Sequence, residues 1–179
     1  MIFPKFFETE RLLLRQPEME DALRIYDRYA SDPKVTKYLN WLTHNSVKKT
    51  EVYLERMIEK NRDNRGQSYV IEPLDSSIGL VGMIAMHYPN NFEIKFGYVL
   101  MSEKWGQGII SEALIALVKW ALAQDHIYRL SAMCDAENRG SARVLEKAGF
   151  ENEGLMRKSD ICPNLSSVPR DHLLFSKVK

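Results

Sequence analysis

Residues 98–113 read Tyr98-Val-Leu-Met-Ser-Glu-Lys-Trp-Gly-Gln-Gly-Ile-Ile-Ser-Glu-Ala113. An apolar, strand-like run ends here, a loop carries Gly106 and Gly108, and an amphipathic helix begins at once. Two glycines allow backbone to approach a bulky anion closely, and a helix start offers unpaired N–H groups with a favourable dipole. The passage is therefore a candidate cradle for a diphosphate built from Gly106, Gly108, Ile109, Ile110 and Ser111. A plain strand-to-helix turn, with glycines serving only tight packing, is the competing reading.

The segments on either side set the fold class. Before the loop, 67–73, 77–88 and 92–100 have strand character, joined by the turn signals Asp75-Ser76-Ser77 and Pro89-Asn90-Asn91. Connections this short imply an antiparallel meander. After it the pattern reads helix (109–124), strand (129–134), helix (138–148) and two strands near 151–162 and 170–178. A strand–helix–strand crossover makes part of the sheet parallel. Residues 11–16 supply a first strand, Pro17 with the acids Glu18–Asp21 opens a first helix, and 46–61 forms a second. Pro33 breaks the first helix, leaving 31–46 irregular. The expectation is a mixed α/β fold with α+β character. Its sheet is mostly antiparallel, of about seven strands with about four helices.

Bulk properties narrow the function. A chain of 179 residues suits a single domain spanning 1–179, and 45% hydrophobic with 27% charged residues is ordinary globular composition. The net charge of +1 gives no global field for nucleic acid or anionic lipid, so neither is expected as a partner. A bound anion would be held by local geometry rather than by a positive surface. No run approaches the roughly 20 apolar residues that span a bilayer, and MIFPKFFETERLLLR does not read as a signal peptide. The expected address is the cytoplasm. Cys134 and Cys162 lack CxxC spacing and read as two reduced thiols, a disulfide between them being the alternative. His44, His87, His126 and His172 show no ligand spacing, so no metal is expected.

A second informative stretch is Asn138-Arg-Gly-Ser-Ala-Arg-Val-Leu-Glu-Lys-Ala-Gly-Phe150. Asn138 is placed to cap a helix, and Gly149 to end it in a left-handed conformation with Phe150 packing back. Together, in this order and spacing, the two stretches resemble the GNAT superfamily of acyl-CoA-dependent N-acyltransferases, in its RimJ/RimL-like branch. The family's Q/R-x-x-G-x-G/A loop falls on Trp105 to Ile110. Its N-x-x-S-x-x-x-L-E-K-x-G-F helix is matched by Asn138, Ser141, Leu145, Glu146, Lys147, Gly149 and Phe150. ETERLLLR, Asp21-Ala22 and GFENEG (149–154) extend the likeness over nearly the whole chain.

The resemblance implies transfer of acetyl from acetyl-CoA to a primary amine by direct attack, without an acyl-enzyme or a metal. The acceptor would be a protein N-terminus, an amino acid or a small amine, and the protein a monomer or homodimer. It further implies that the strand Tyr98, Val99, Leu100 faces the acyl and pantetheine groups, and that Asn138 bonds the pantetheine arm. Ser141 would stand near the sulfur as donor to the departing thiolate, and Lys147 near the CoA phosphates. Three departures stand out, the first being Trp105 in the Q/R slot. Ile110 replaces a small residue, and the family's E-I-G-Y strand is Lys95-Phe-Gly-Tyr98, placing a cation where a carboxylate is expected near the acceptor. Glu93, on the same strand face by alternation, is the candidate base. Trp41 and Lys95 are candidate acceptor contacts. Each residue also has a plain structural reading: helix cap for Asn138, first-turn hydroxyl for Ser141, loop packing for Trp41, solvated charge for Glu93, Lys95 and Lys147. The alternative function is a GNAT-fold module that binds acyl-CoA without turnover.

Overall fold

A computed structural model describes residues 3–63, 66–75 and 77–179. Eight strands form one mixed sheet: β1 (Phe6–Glu8), β2 (Leu12–Arg15), β3 (Gly66–Pro73), β4 (Gly82–Asn90), β5 (Glu93–Leu100), β6 (Arg129–Asp135), β7 (Glu151–Asp160) and β8 (Arg170–Val178). Their order is β1-β2-β3-β4-β5-β6-β8-β7, so the last strand inserts between β6 and β7. All neighbours pair antiparallel except β5 and β6, the pair joined through a helix. The helices are α1 (Ala22–Ile25), α2 (Pro33–Thr36), α3 (Val47–Arg62), α4 (Ile109–Leu122) and α5 (Arg139–Lys147).

Three local details differ from the sequence reading. β1 is an extra strand, formed because Phe7 finds Tyr69 and Trp120 to pack against. Pro33 does more than break the first helix, which runs on from α1 as a π-helical turn over Tyr26–Ala30. It occupies the first turn of α2, where its missing N–H costs nothing, and Asp32 caps that turn through Lys34 N. The strand expected from 77 begins at Gly82, after Gly79 turns the chain with φ +69°. Ser76, in the expected 75–77 turn, lies outside the described residues.

The core fills the space between sheet and helices. Leu14, Ile71, Ile84, Met86 and Ile94 of the sheet and Ala113, Leu114, Leu117 and Ala121 of α4 have no solvent exposure. α4 packs on the central strands and α5 on β6 and β7, while α3 lies on β3. α5 stops in a double hydrogen bond, from Gly149 N to Glu146 O (2.9 Å) and Phe150 N to Leu145 O (3.1 Å), which needs the φ of +80° at Gly149. Phe150 then meets Phe96 edge-on under the helix.

Candidate active site

β5 and β6 pair in parallel only from Glu93/Arg129 to Phe96/Ala132. Beyond that point β5 stays with β4 as far as Leu100, and β6 stays with β8 as far as Asp135. The two strands part, and the β6-facing edge of β5 over Gly97–Leu100 is left without a strand partner. A cleft of about 1500 Å³ opens at this parting. Its lining takes in residues from both faces of β5, Tyr98 on one and Lys95 and Val99 on the other, so it passes through the gap between the strands.

Every candidate site residue lines this cleft, including Trp41, Glu93, Lys95, Tyr98, Val99 and Leu100 of the acyl and acceptor region. Gly106, Gly108, Ile109, Ile110 and Ser111 line it at the loop, and Asn138, Ser141 and Lys147 along α5. Gly106 and Gly108 take φ of +77° and +78°, conformations that favour glycine. A Cβ on Gly106 would meet nothing within 4 Å, so the loop leaves room above its backbone for a bulky group. Ile109 and Ile110 are buried, and Ile110 anchors α4 in the core. The start of α4 is fixed from outside. Glu112 accepts from Thr9 Oγ1 (2.6 Å) and from Arg11 N and Nε (3.0 and 2.6 Å), clamping the loop to the β1–β2 hairpin.

On α5 the capping and ligand readings of Asn138 are compatible. Its Oδ1 accepts from Ser141 N (3.1 Å), and its amide Nδ2 has no partner among the described residues. Ser141 Oγ lies 2.8 Å from the Tyr98 hydroxyl, which also donates to Ser141 O at 3.1 Å. Burial pushes the Tyr98 hydroxyl well above its ordinary pKa, outweighing the bond to Ser141, so the pair stays protonated. Cys134 joins this group as a free thiol, pushed up to about 11 by burial with Ser141 opposing.

Glu93 is engaged elsewhere. Ser131 Oγ (2.6 Å) and Asn90 Nδ2 (3.3 Å) donate to its carboxylate, and Arg129 lies 3.6 Å away. It stands five positions before Tyr98 on the strand, roughly 16 Å at about 3.3 Å per residue. Its carboxylate is already engaged by three groups, on the strand face it shares with Lys95. Trp41 packs its loop, stacking with His44 (5.0 Å) and Tyr53 (5.7 Å), and also faces the cleft.

Other features escaped the sequence reading. Arg139, Arg143 and Lys147 are spaced four apart and line the cleft together, a basic stripe along α5 that the i, i+4 pattern could have revealed. With Lys34, Lys37, Lys95, Lys104 and Arg129, eight lysines and arginines face four carboxylates. The expectation of an anion site without a positive surface is thus corrected: a chain of net charge +1 concentrates cations in one groove. The fold also brings Asp135, Cys162 and His172 within 4.8 Å of one another, from positions with no common spacing. Arg170 already holds the Asp135 carboxylate at 2.5 and 3.2 Å, and burial keeps the Cys162 thiol near 11, so a cation would have to displace the guanidinium.

The acetyltransferase (GNAT) domain family matches residues 11–151. The chain belongs to this family. The uncharacterized N-acetyltransferase p20 of Bacillus licheniformis is 31% identical over 151 residues, covering 83% of this chain and 84% of that protein. The [ribosomal protein uS5]-alanine N-acetyltransferase of Escherichia coli is 25% identical over 171 residues, 93% of this chain and 87% of that one, in keeping with a RimJ/RimL-like branch. A GNAT-family acetyltransferase from Bacillus anthracis superposes with a TM-score of 0.82 at 27% identity, covering 97% of this chain and 98% of that one. The GNAT chain described here is thus an acetyl-CoA-dependent N-acetyltransferase, and the acceptors of its family are amines. No described helix is long and apolar enough to cross a membrane.

Proposed function

We propose that residues 1–179 act as one acyltransferase domain that moves the acetyl group of acetyl-CoA directly onto a primary amine, a protein N-terminus or smaller amine, without an acyl-enzyme. The observation that carries this reading is the parting of β5 from β6 beside a left-handed glycine loop, with hydroxyls directly across the gap. The N–H groups from Gly106 to Ser111 hold the diphosphate, and Lys104, Arg139, Arg143 and Lys147 supply its countercharge. The free edge of β5 at Val99 and Leu100 receives the pantetheine and polarises the thioester carbonyl. Asn138 Nδ2 donates to the pantetheine arm. As the C–N bond forms and the C–S bond breaks, Tyr98 and Ser141 deliver a proton to the departing thiolate, and the proton shed by the amine nitrogen passes to water, which reprotonates the pair. The acceptor attacks as its neutral amine from the side of Lys95 and Trp41. The protein works in the cytoplasm as a monomer or homodimer.

The test compares Gly106→Asp with Gly106→Asn in acetyl-CoA calorimetry, followed by a thiol-release screen against amines. Both substitutions fit the space and tolerate positive φ, and only Asp adds negative charge at the loop. Acetyl-CoA affinity should fall at least about tenfold further in the Asp variant, since like charges brought together cost several kcal/mol. Equal affinities would put the diphosphate elsewhere, and tight binding with no thiol released by any amine would favour a non-catalytic module.

A further inference from the structure

The cations of the cleft exceed what the donor needs. Lys104 and the α5 stripe sit on the elements of the phosphate site, whereas Lys34 lies on α2, Lys37 just after its end, and Lys95 on β5. Lys95 is exposed, two residues from the point where β5 leaves β6, roughly 7 Å along the strand. Lys37 lines the same cleft, its Nζ 4.8 Å from the ring centroid of its neighbour Tyr38, whose carbonyl accepts from Cys162 Sγ at 3.5 Å. Neither lysine has a carboxylate partner among the described residues.

The acids nearby are already spoken for. Glu93 is met by Arg129, and Asp135 and Glu137 by Arg170. Asp160 is the one lining acid without a cation among the described residues, its carboxylate accepting only from Ile161 N. Among the described residues the cleft lining thus holds two lysines off the phosphate elements without a carboxylate partner, Lys37 and Lys95, and one carboxylate without a cation. Such an arrangement complements a molecule with one amine and more than one negative charge.

Resting on the proposed acetyl transfer, we infer that the acceptor is an anionic amine, with carboxylates close to the reacting nitrogen that Lys37 and Lys95 receive. An acidic N-terminal peptide and a free acidic amino acid share this chemistry. The cation at position 95 then selects the substrate instead of marking a defect in the catalytic apparatus.

Acetylation rates would be measured for Ala-Asp-Asp-Phe amide, Ala-Lys-Lys-Phe amide and glutamate with the wild type, Lys95→Glu and Lys95→Met. Peptide binding to the CoA-loaded protein would be followed by calorimetry, and folding by thermal melts. The acidic peptide or glutamate should exceed the basic peptide in kcat/KM by about tenfold, as expected when two exposed charges act together. Lys95→Glu should erase or invert that preference, Lys95→Met should reduce it, and added salt should compress it. Which of the two acidic compounds responds tells peptide from amino acid. A basic peptide acetylated as fast as both acidic compounds, or a ratio untouched in both variants, overturns the inference while leaving acetyl transfer standing. Absent turnover, tighter binding of the acidic compounds that Lys95→Glu abolishes upholds the anionic subsite and moves the failure to the catalytic reading. If no acidic compound binds or reacts, the inference falls.

Discussion

Tyr98 and Ser141 sit 43 positions apart in the chain and 2.8 Å apart in space, and the proposed chemistry turns on that pair. Ser141→Ala should lower kcat by about 10²-fold with little change in acetyl-CoA affinity, the usual scale for a lost proton donor. Tyr98→Phe should do likewise. The double variant should lose less than the product of the two, because each hydroxyl acts through the other; steady-state kinetics on all three variants checks it. Glu93 supplies a contrast. Its carboxylate is engaged by Arg129, Ser131 and Asn90, and the prediction is that it does not serve as the base. For a peptide N-terminus as acceptor, kcat/KM should then climb tenfold per pH unit up to about pH 8, where an α-amino group loses its proton. A plateau already reached near pH 5 would restore a carboxylate base.

At the scale of elements, the proposed acceptor wall depends on one side chain. Asn164, in the loop between β7 and β8, donates to Thr36 O and Trp41 O (both 2.8 Å) and accepts from Thr43 N and Oγ1 (both 3.0 Å). Its amide is fully used, and it fastens the segment carrying Trp41 to the C-terminal loop. Asn164→Ala should cost about 1–3 kcal/mol, leaving buried partners unsatisfied. It should also raise the acceptor KM while acetyl-CoA affinity holds; urea unfolding and the two KM values separate these effects. Gly149 is a second element-scale determinant. A Cβ there would come within 2.7 Å of Lys177 Nζ at a φ of +80°, so Gly149→Ala should destabilise by about 1–2 kcal/mol in the same assay.

Over the whole molecule, ion pairs join distant parts of the sheet. Arg129 and Ser176 hold Glu153 at about 2. Burial alone would raise the carboxyls of Asp21, Glu112 and Asp135, but Arg15, then Thr9 with Arg11, then Arg170 prevail and lower them. A carboxyl depressed in the folded state adds stability that is full above its unfolded pKa, near 4, and fades as pH falls towards the folded value. The melting temperature should accordingly drop steeply between about pH 5 and pH 2, and calorimetric scans across that range check it. Arg15→Met, which strands the buried Asp21 carboxylate, should cost about 2 kcal/mol at pH 7. That is less than for a deep pair, because Arg15 keeps solvent access.

The local signals were legible in the sequence because each resides in neighbouring residues. The glycines of the 106–108 loop, the Asn138 cap, the Gly149 stop and the period change after residue 100 announced elements, crossover and family. The basic stripe on α5 was equally readable, at a spacing of four. Only the tertiary structure decided that β8 lies between β6 and β7, since strand order is set by which edges find partners. It also decided that β5 and β6 separate after Phe96, where β8 holds β6 and β4 holds β5. Glu93 read as a free carboxylate because Arg129 and Ser131 reach it only across the parallel pair. The Tyr98–Ser141 bond, the Asn164 clasp and the unpaired Lys95 arise in the same way. Hydrogen bonds and charge pairs depend on distance in space, and a linear chain encodes that distance only through its fold.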